Sequence, residues 1–256
     1  MKVFALFKYH WLLQQLIIRD LKIKYRRSIL GYFWSILNPI LMMAVTTVAF
    51  SYMFRFNIEN YPVYILTGQL IFNYFSEATN FSLVSILMGS ALIKKVALPK
   101  SIFPVSRILS SFVTMLLSMA ALMVVMVATG ASFHFTTVML PVFLLYFLMF
   151  VFGVGFILST ATVFFRDLEH LYGVVLSALH FLTPVFYPVD LLPPWLQQIM
   201  VLNPLYNYIN MFRNIMIYGN WPTLTEHFLC LGFGLVSLFI GLYCFTKYED
   251  DFILYI

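Results

Sequence analysis

The sequence predicts an all-α polytopic membrane protein with six transmembrane helices, an N-terminal amphipathic interface helix, and re-entrant external gate helices between the fifth and sixth spans. Three observations carry that prediction. Of the 256 residues, 62% are hydrophobic and only 10% are charged, whereas a soluble domain has roughly 25% charged residues. A soluble core of this size cannot hide so much apolar surface, so lipid has to be part of the solvent. Six stretches approach the length of about 20 apolar residues that a bilayer span needs. The Lys and Arg residues crowd beside alternate ends of those stretches, where the positive-inside rule places them.

The first element precedes the spans and runs over residues 9–27. Gln15, Arg19, Lys22 and Arg26 recur at helical spacing as one polar stripe, while Tyr9, Leu12, Leu13, Leu16 and Ile23 gather on another face. Asp20 stands one turn before Lys24 and is expected to pair with it. A basic amphipathic helix of this kind lies in the cytoplasmic interface plane, apolar face toward acyl chains and charges toward head groups. Ser28, Gly31 and Trp34 then turn the chain into the membrane. A plain topology anchor is the alternative.

The spans follow at 36–54, 63–87, 108–128, 138–165, 171–192 and 228–245. The second is the weakest, because Gln69, Asn73, Glu77 and Asn80 interrupt it; the fifth is the least regular, with Pro184 and Pro188 breaking its end. An even count puts both termini on one side. Of the 15 Lys and Arg residues, 13 fall on that side and only Arg55 and Arg213 on the other, which makes the termini cytoplasmic.

Three connections are unusual. "LIKKVALPKSIFPVSR" (92–107) is cytoplasmic, bounded by Pro99 and Pro104, and too apolar for a solvated charge run. It reads as a short helix offering a face to a partner, or as a membrane-surface loop. The stretch 186–222 is cut into short helical pieces by Pro188, Pro193, Pro194, Pro204 and Pro222. Non-spanning backbone at membrane depth needs protein or a water-filled cavity around it, so re-entrant helices capping an opening are expected, with an interfacial hairpin as the alternative. "FFRDLEH" (164–170) gathers Arg166, Asp167, Glu169 and His170; it reads as a solvated helix end rather than an acid/base cluster.

Several function classes are excluded or left without support. No G-x-x-x-x-G-K-[ST], H-E-x-x-H or G-x-S-x-G motif occurs, so the chain is not itself a P-loop ATPase. Cys230 and Cys244 share one apolar run, which gives packing residues and neither a disulfide framework nor a metal site. Lys2 and Lys8 have no apolar signal core behind them, so no cleaved signal peptide is expected. The net charge of +5 sits beside spans and does not point to nucleic acid. Glu77 and His180 fall within apparent spans, where ionisable groups are functional candidates by default; a hydrogen bond between helices serves equally well.

Four segments, in order, carry a resemblance to a known family: "RDLKIKYRRSILGYFWSILNPIL" (19–41), "LIKKVALPKSIFPVSRIL" (92–109), "FFRDLEH" (164–170) and "FYPVDLLPPWLQQIMVLNPLY" (186–206). Over nearly its whole length the chain resembles the membrane-spanning permease subunit of the ABC exporters for bacterial cell-surface polysaccharides, such as O-antigen (in lipopolysaccharide biosynthesis), capsule and teichoic acid. The resemblance implies a homodimer in the bacterial cytoplasmic membrane, bound to two copies of a separate ATPase chain that holds the ATP and Mg. It implies a lipid-linked polysaccharide as cargo, and no catalytic residue, cofactor or metal in this chain.

The resemblance also assigns places. Arg19, Lys22, Arg26 and Arg27 would border the cytoplasmic entrance, within reach of the pyrophosphate of a lipid-linked glycan. The 92–107 region would couple to the ATPase through Lys94, Lys95, Val96, Leu98, Pro99, Lys100, Ile102 and Phe103, with the apolar members as anchors and the lysines at the rim. The 186–222 region would be the external gate. For a sliding polysaccharide, aromatic walls give broad and weak contact with the C–H faces of sugar rings, and the chain holds 28 Phe, 16 Tyr and 4 Trp. Tyr32, Phe33, Trp34 and Phe50 near the first span, with Phe181, Phe186 and Tyr187 at the end of the fifth, are expected to line the path. A polytopic membrane enzyme acting on lipid-linked sugar, and an ABC exporter of drugs or lipids, are the competing readings.

Overall fold

In the computed structural model the described residues are 9–24, 28–54, 58 and 60–256. They form helices joined by turns, with no strand among them. In chain order these are α1 (His10–Lys24), α2 (Trp34–Phe54), α3 (Tyr61–Met88), α4 (Ser90–Ile93), α5 (Ile102–Thr129), α6 (Leu140–Phe164), α7 (Leu168–Leu182), α8 (Pro194–Met200), α9 (Pro204–Arg213), α10 (Leu224–Tyr248) and α11 (Phe252–Tyr255). Arg26, Arg27 and Arg55 lie outside the described residues.

Among the described residues four segments are long and apolar enough to cross a membrane: Gly31–Phe50, Ile102–Thr129, Phe135–Phe164 and Leu224–Tyr248. The two remaining expected spans are helices of a different kind. α3 has 28 residues, about 42 Å at 1.5 Å per residue, but its polar residues dilute its hydropathy. α7 has only 15 residues. The expected fifth span, 171–192, is therefore shortened: its helix ends at Leu182, because the residue before a proline is driven out of the helical region and Pro184 cannot donate to the ladder.

α3 is the axis of the bundle. It packs between α5 and α6 and also meets α2, α7 and α9, and most of its residues are buried, including Tyr64, Gln69, Phe72 and Tyr74. α6 and α10 form the closest helix pair. A Cβ on Gly153 would collide with the backbone of Ser237, and one on Gly241 with the backbone of Gly153. Small residues at such a crossing let backbones approach where lipid supplies no hydrophobic drive for helix association.

The two ends of the bundle differ. At one, here the basic end, Leu12, Leu13 and Leu16 of α1 pack with Ile93, Ile102, Phe103, Phe156, Phe245 and Phe252 in a second small core. Lys100 donates to the carbonyls of Glu249 and Asp250 just past α10, where a cation complements the helix dipole, and Arg166 donates to the Tyr255 carbonyl at 3.3 Å. Both described termini lie at this end. The other, the proline end, holds residue 60, the turn at 130–134 and the whole of 183–223.

This arrangement corrects three expectations. Leu12, Leu13 and Leu16 of the apolar face of α1 lie against α5 and the second core rather than toward acyl chains, because Ile102, Phe103 and Val105 already form an apolar floor there, and Ile23 of that face is left exposed. Asp20 does not pair with Lys24: it meets Arg19 at 3.0 Å and Arg107 at 3.1 Å, while Lys24 meets Glu77 at 2.7 Å. The 92–107 stretch is not one helix, since α4 ends at Ile93, 96–99 is irregular, and α5 has begun by Ile102.

Candidate functional site

The proline end is built around a break in regular backbone at 184–187. α7 stops at Leu182, and the chain does not resume a helix until the short turn Val189–Leu191. Carbonyls left open in a membrane protein must be satisfied by other protein groups. Here four in a row are. The Arg213 guanidinium donates to Pro184 O at 3.0 Å and Val185 O at 2.8 Å. The Tyr61 hydroxyl donates to Phe186 O at 2.7 Å, and the Tyr64 hydroxyl to Tyr187 O at 3.1 Å.

Arg213 is the keystone of this arrangement. It is buried, with Nη1 also donating to the Tyr64 hydroxyl at 2.9 Å and Nη2 to the Tyr64 carbonyl at 3.3 Å. Its plane lies over the Tyr64 ring, 3.6 Å from the ring centre, a cation–π contact strengthened by desolvation. Among the described residues no carboxylate pairs with it. Burial pulls its pKa down from the ordinary value, yet arginine stays charged in proteins. Gly68 makes room: a Cβ there would sit 2.8 Å from Nη2 and 2.9 Å from Val185 O.

α9 brings Arg213 into place by burying Leu205, Tyr208, Ile209, Met211 and Phe212. Asn203 caps it by accepting from Leu205 N at 3.0 Å. α9 and the turn that follows it are thus part of the main core, whereas Leu191, Trp195 and Leu202 before it stay exposed. After Arg213 the helix widens into a π turn, Asn214–Tyr218. Thr136 donates to Ile215 O at 2.8 Å, and the His134 ring lies 3.0 Å from Ile217 O, tying the turn to the segment after α5.

A cavity of about 1310 Å³ opens at this end, lined by residues that include Tyr64, His134, Asp190, Tyr206, Asn210 and Arg213. Burial, and after it the Asp190 carboxylate, push the Tyr206 hydroxyl's pKa up. From the sequence alone Arg213 is no more than a charge on the far side. The signal that marks it is one cation in a long apolar segment with no acidic residue at helical spacing.

At the basic end Asp20 is buried between Arg19, on its own helix, and Arg107 of α5. Lys24 donates to both oxygens of Glu77, at 2.8 and 2.7 Å, joining α1 to α3. Arg19 and Lys22 face solvent. In the coupling region Lys94, Lys95 and Val96 are exposed, Leu98, Pro99 and Lys100 half-buried. Ile102 and Phe103 are corrected: both are buried in the second core, because they open α5 against α1 and α11. Lys100 is also turned inward, toward the end of α10.

The expected path aromatics separate into two groups. Tyr32, Phe33, Trp34 and Phe181 are exposed. Phe50 stacks on Phe186 with ring centres 5.0 Å apart, so the two residues do meet, but Phe186 is buried in the chain's own core and is no exposed wall. The physical reason is the break after α7, which turns Phe186 inward against His180, 4.9 Å away. Tyr187 is half-buried and donates to Phe181 O at 2.9 Å. His180 also packs on Phe72 at 4.3 Å. Asp167, Glu169 and His170 are exposed at the start of α7, where acidic residues suit the helix dipole. Cys230 is buried and Cys244 half-buried, both unbridged.

Comparison with known proteins places this architecture. Residues 12–217 match the family described as ABC-2 type transporter. The chain is 30% identical over 237 residues to an O-antigen export system permease protein RfbA of Klebsiella pneumoniae, covering 91% of this chain and 90% of that one. It is 29% identical over 249 residues to the protein of that name from Myxococcus xanthus, 96% of each. It is 24% identical over 246 residues to the polysialic acid transport protein KpsM of Escherichia coli, 93% of each. A match over most of the chain, on an all-helical bundle with four helices fit to cross a bilayer, shows that this chain belongs to the ABC-2 type transporter membrane family.

Proposed function

We propose that this chain is the permease subunit of an ATP-driven exporter that moves a lipid-linked cell-surface polysaccharide across the cytoplasmic membrane. The observation that carries the reading is its end-to-end similarity to O-antigen export permeases from two organisms. The chain acts as a homodimer with two copies of a separate ATPase subunit, which binds ATP and Mg. In this reading α3 and α7 also cross the membrane, giving six spans. The basic end is cytoplasmic, since the order of spans in the sequence assigns 13 of the 15 Lys and Arg residues to that side.

Within that frame each end has a task. Arg19 and Lys22, with Arg26 and Arg27 beyond the described residues, border the entrance and attract the pyrophosphate of the carrier lipid. Val96 and Leu98, with Lys94, Lys95 and Pro99 around them, dock on the ATPase. Tyr32, Phe33, Trp34 and Phe181 offer exposed aromatic surface to the path between two copies, and 186–222 caps its external end. The test is to delete the gene and assay the polysaccharide at the cell surface. Complementation by this chain should restore it, and the tagged chain should co-purify an ATPase. Unchanged surface polysaccharide in the deletion strain would reject the reading.

A further inference from the structure

We propose that the cavity at the proline end is a binding site for uncharged sugar units of the exported glycan, held as they leave the permease. The proposal rests on the export reading above and adds a place and a chemistry to it. The cavity, at about 1310 Å³, exceeds the 300–1,000 Å³ or so of ordinary small-molecule pockets. It therefore has room for a short run of linked sugars rather than one.

Its lining has the two kinds of group that sugars use. Asp190 supplies a carboxylate, and Tyr206 and Tyr218 supply hydroxyls; among the described residues none of these three polar groups has a hydrogen-bond partner within the chain. An ionised carboxylate is an acceptor for two or more hydroxyl donors, and hydrogen bonds to charged groups are the stronger kind. The rings of Tyr206, half-buried, and Tyr218, exposed, offer flat faces to the C–H side of a sugar ring.

The same lining argues against an anionic ligand. A phosphate or carboxylate calls for free Arg or Lys donors. The one cation among the described lining residues is Arg213, and both of its terminal nitrogens are already committed to Tyr64, Pro184 and Val185. Asp190 would meanwhile repel an acidic group. A lipid head group and an acidic sugar are both disfavoured, and neutral hydroxyl-bearing sugars remain.

The test places p-benzoylphenylalanine at Tyr206 in the tagged full chain, in cells making their own surface polysaccharide. A control carries the same group at Phe239, which is exposed on α10. After irradiation the purified chain is stained for periodate-sensitive glycan. Position 206 should give a glycan-bearing adduct and position 239 none. In parallel, Asp190→Ala and Tyr206→Ala should each lower surface polysaccharide about tenfold at equal chain levels, the effect of losing a hydrogen bond to a charged group or its stacking partner. An adduct at 206 that carries lipid without sugar, or no adduct while both variants export normally, overturns the site. Either result leaves the export reading standing, provided that deleting the whole chain still abolishes surface polysaccharide. If the deletion has no effect, it is the export reading that fails.

Discussion

Arg213 carries a full charge to a buried position and meets carbonyls and a tyrosine there instead of a carboxylate. That choice has a mechanical consequence: one side chain of α9 holds the unwound end of α7 against the first turn of α3. Removing it strands the carbonyls of Pro184 and Val185. With each unsatisfied buried group costing 1–3 kcal/mol or so, Arg213→Ala should destabilise the solubilised chain by about 3 kcal/mol, read as a lower thermal midpoint in detergent. Arg213→Lys should not rescue it, because an ammonium has no planar fork to serve two carbonyls and a ring together. Gly68→Ala tests the same contact from α3, since its Cβ would press on Nη2 and Val185 O; it should loosen the site without removing any charge. If Arg213→Lys melts and exports like the wild type, the keystone role is wrong.

The elements at the basic end divide into those turned inward and those left for a partner. Phe103 is buried under α1, and Ile102 with it, while Val96 is exposed and Leu98 half-buried on the irregular connection before them. Two substitutions should therefore fail in different ways. Phe103→Asp puts a charge into the second core and should reduce the amount of folded chain in the membrane. Leu98→Asp should leave that amount unchanged and lose the co-purifying ATPase, since a few apolar anchors dominate such interfaces. Equal ATPase recovery with Leu98→Asp would remove the connection from the coupling surface. The same elements show what sequence pattern can and cannot reveal. The positions of α2, α5, α6 and α10 were legible because lipid demands long apolar runs. The break near 184 was legible because proline forbids the helix. The pairing of Asp20 with Arg107 was not, because local spacing offered Lys24 and only the docking of α1 on α5 brings Arg107 close. Nor did an apolar, proline-bounded run reveal that Ile102 and Phe103 open α5, as helix starts are set by contacts as well as by breakers. Arg213 escaped for the same reason: its four acceptors come from residues 28 to 149 positions away.

For the molecule as a whole, the decisive matter is whether α3 and α7 cross the bilayer along with the four strongly apolar helices. The interior of the bundle makes crossing affordable for α3. Gln69 is buried against protein and Glu77 is neutralised by Lys24, which leaves the neutral Asn73 and Asn80 as the exposed polar groups of α3. α7 spans about 22 Å as helix, short of the roughly 30 Å hydrocarbon core, but the 184–187 backbone extends it with its carbonyls satisfied. Six crossings and four crossings agree on the sides of residues 60, 220 and 251 and disagree at 94, 132 and 167. In a variant with Cys230 and Cys244 replaced, Lys94→Cys and Asp167→Cys should stay unlabelled by an impermeant maleimide added to intact cells, whereas Ser132→Cys should label. Asn220→Cys serves as the positive control and Asp251→Cys as the protected one. The four-crossing arrangement reverses the result at 94, 132 and 167 together, so labelling at Lys94→Cys and Asp167→Cys with protection of Ser132→Cys would leave α3 and α7 as helices that enter the bundle without traversing the membrane.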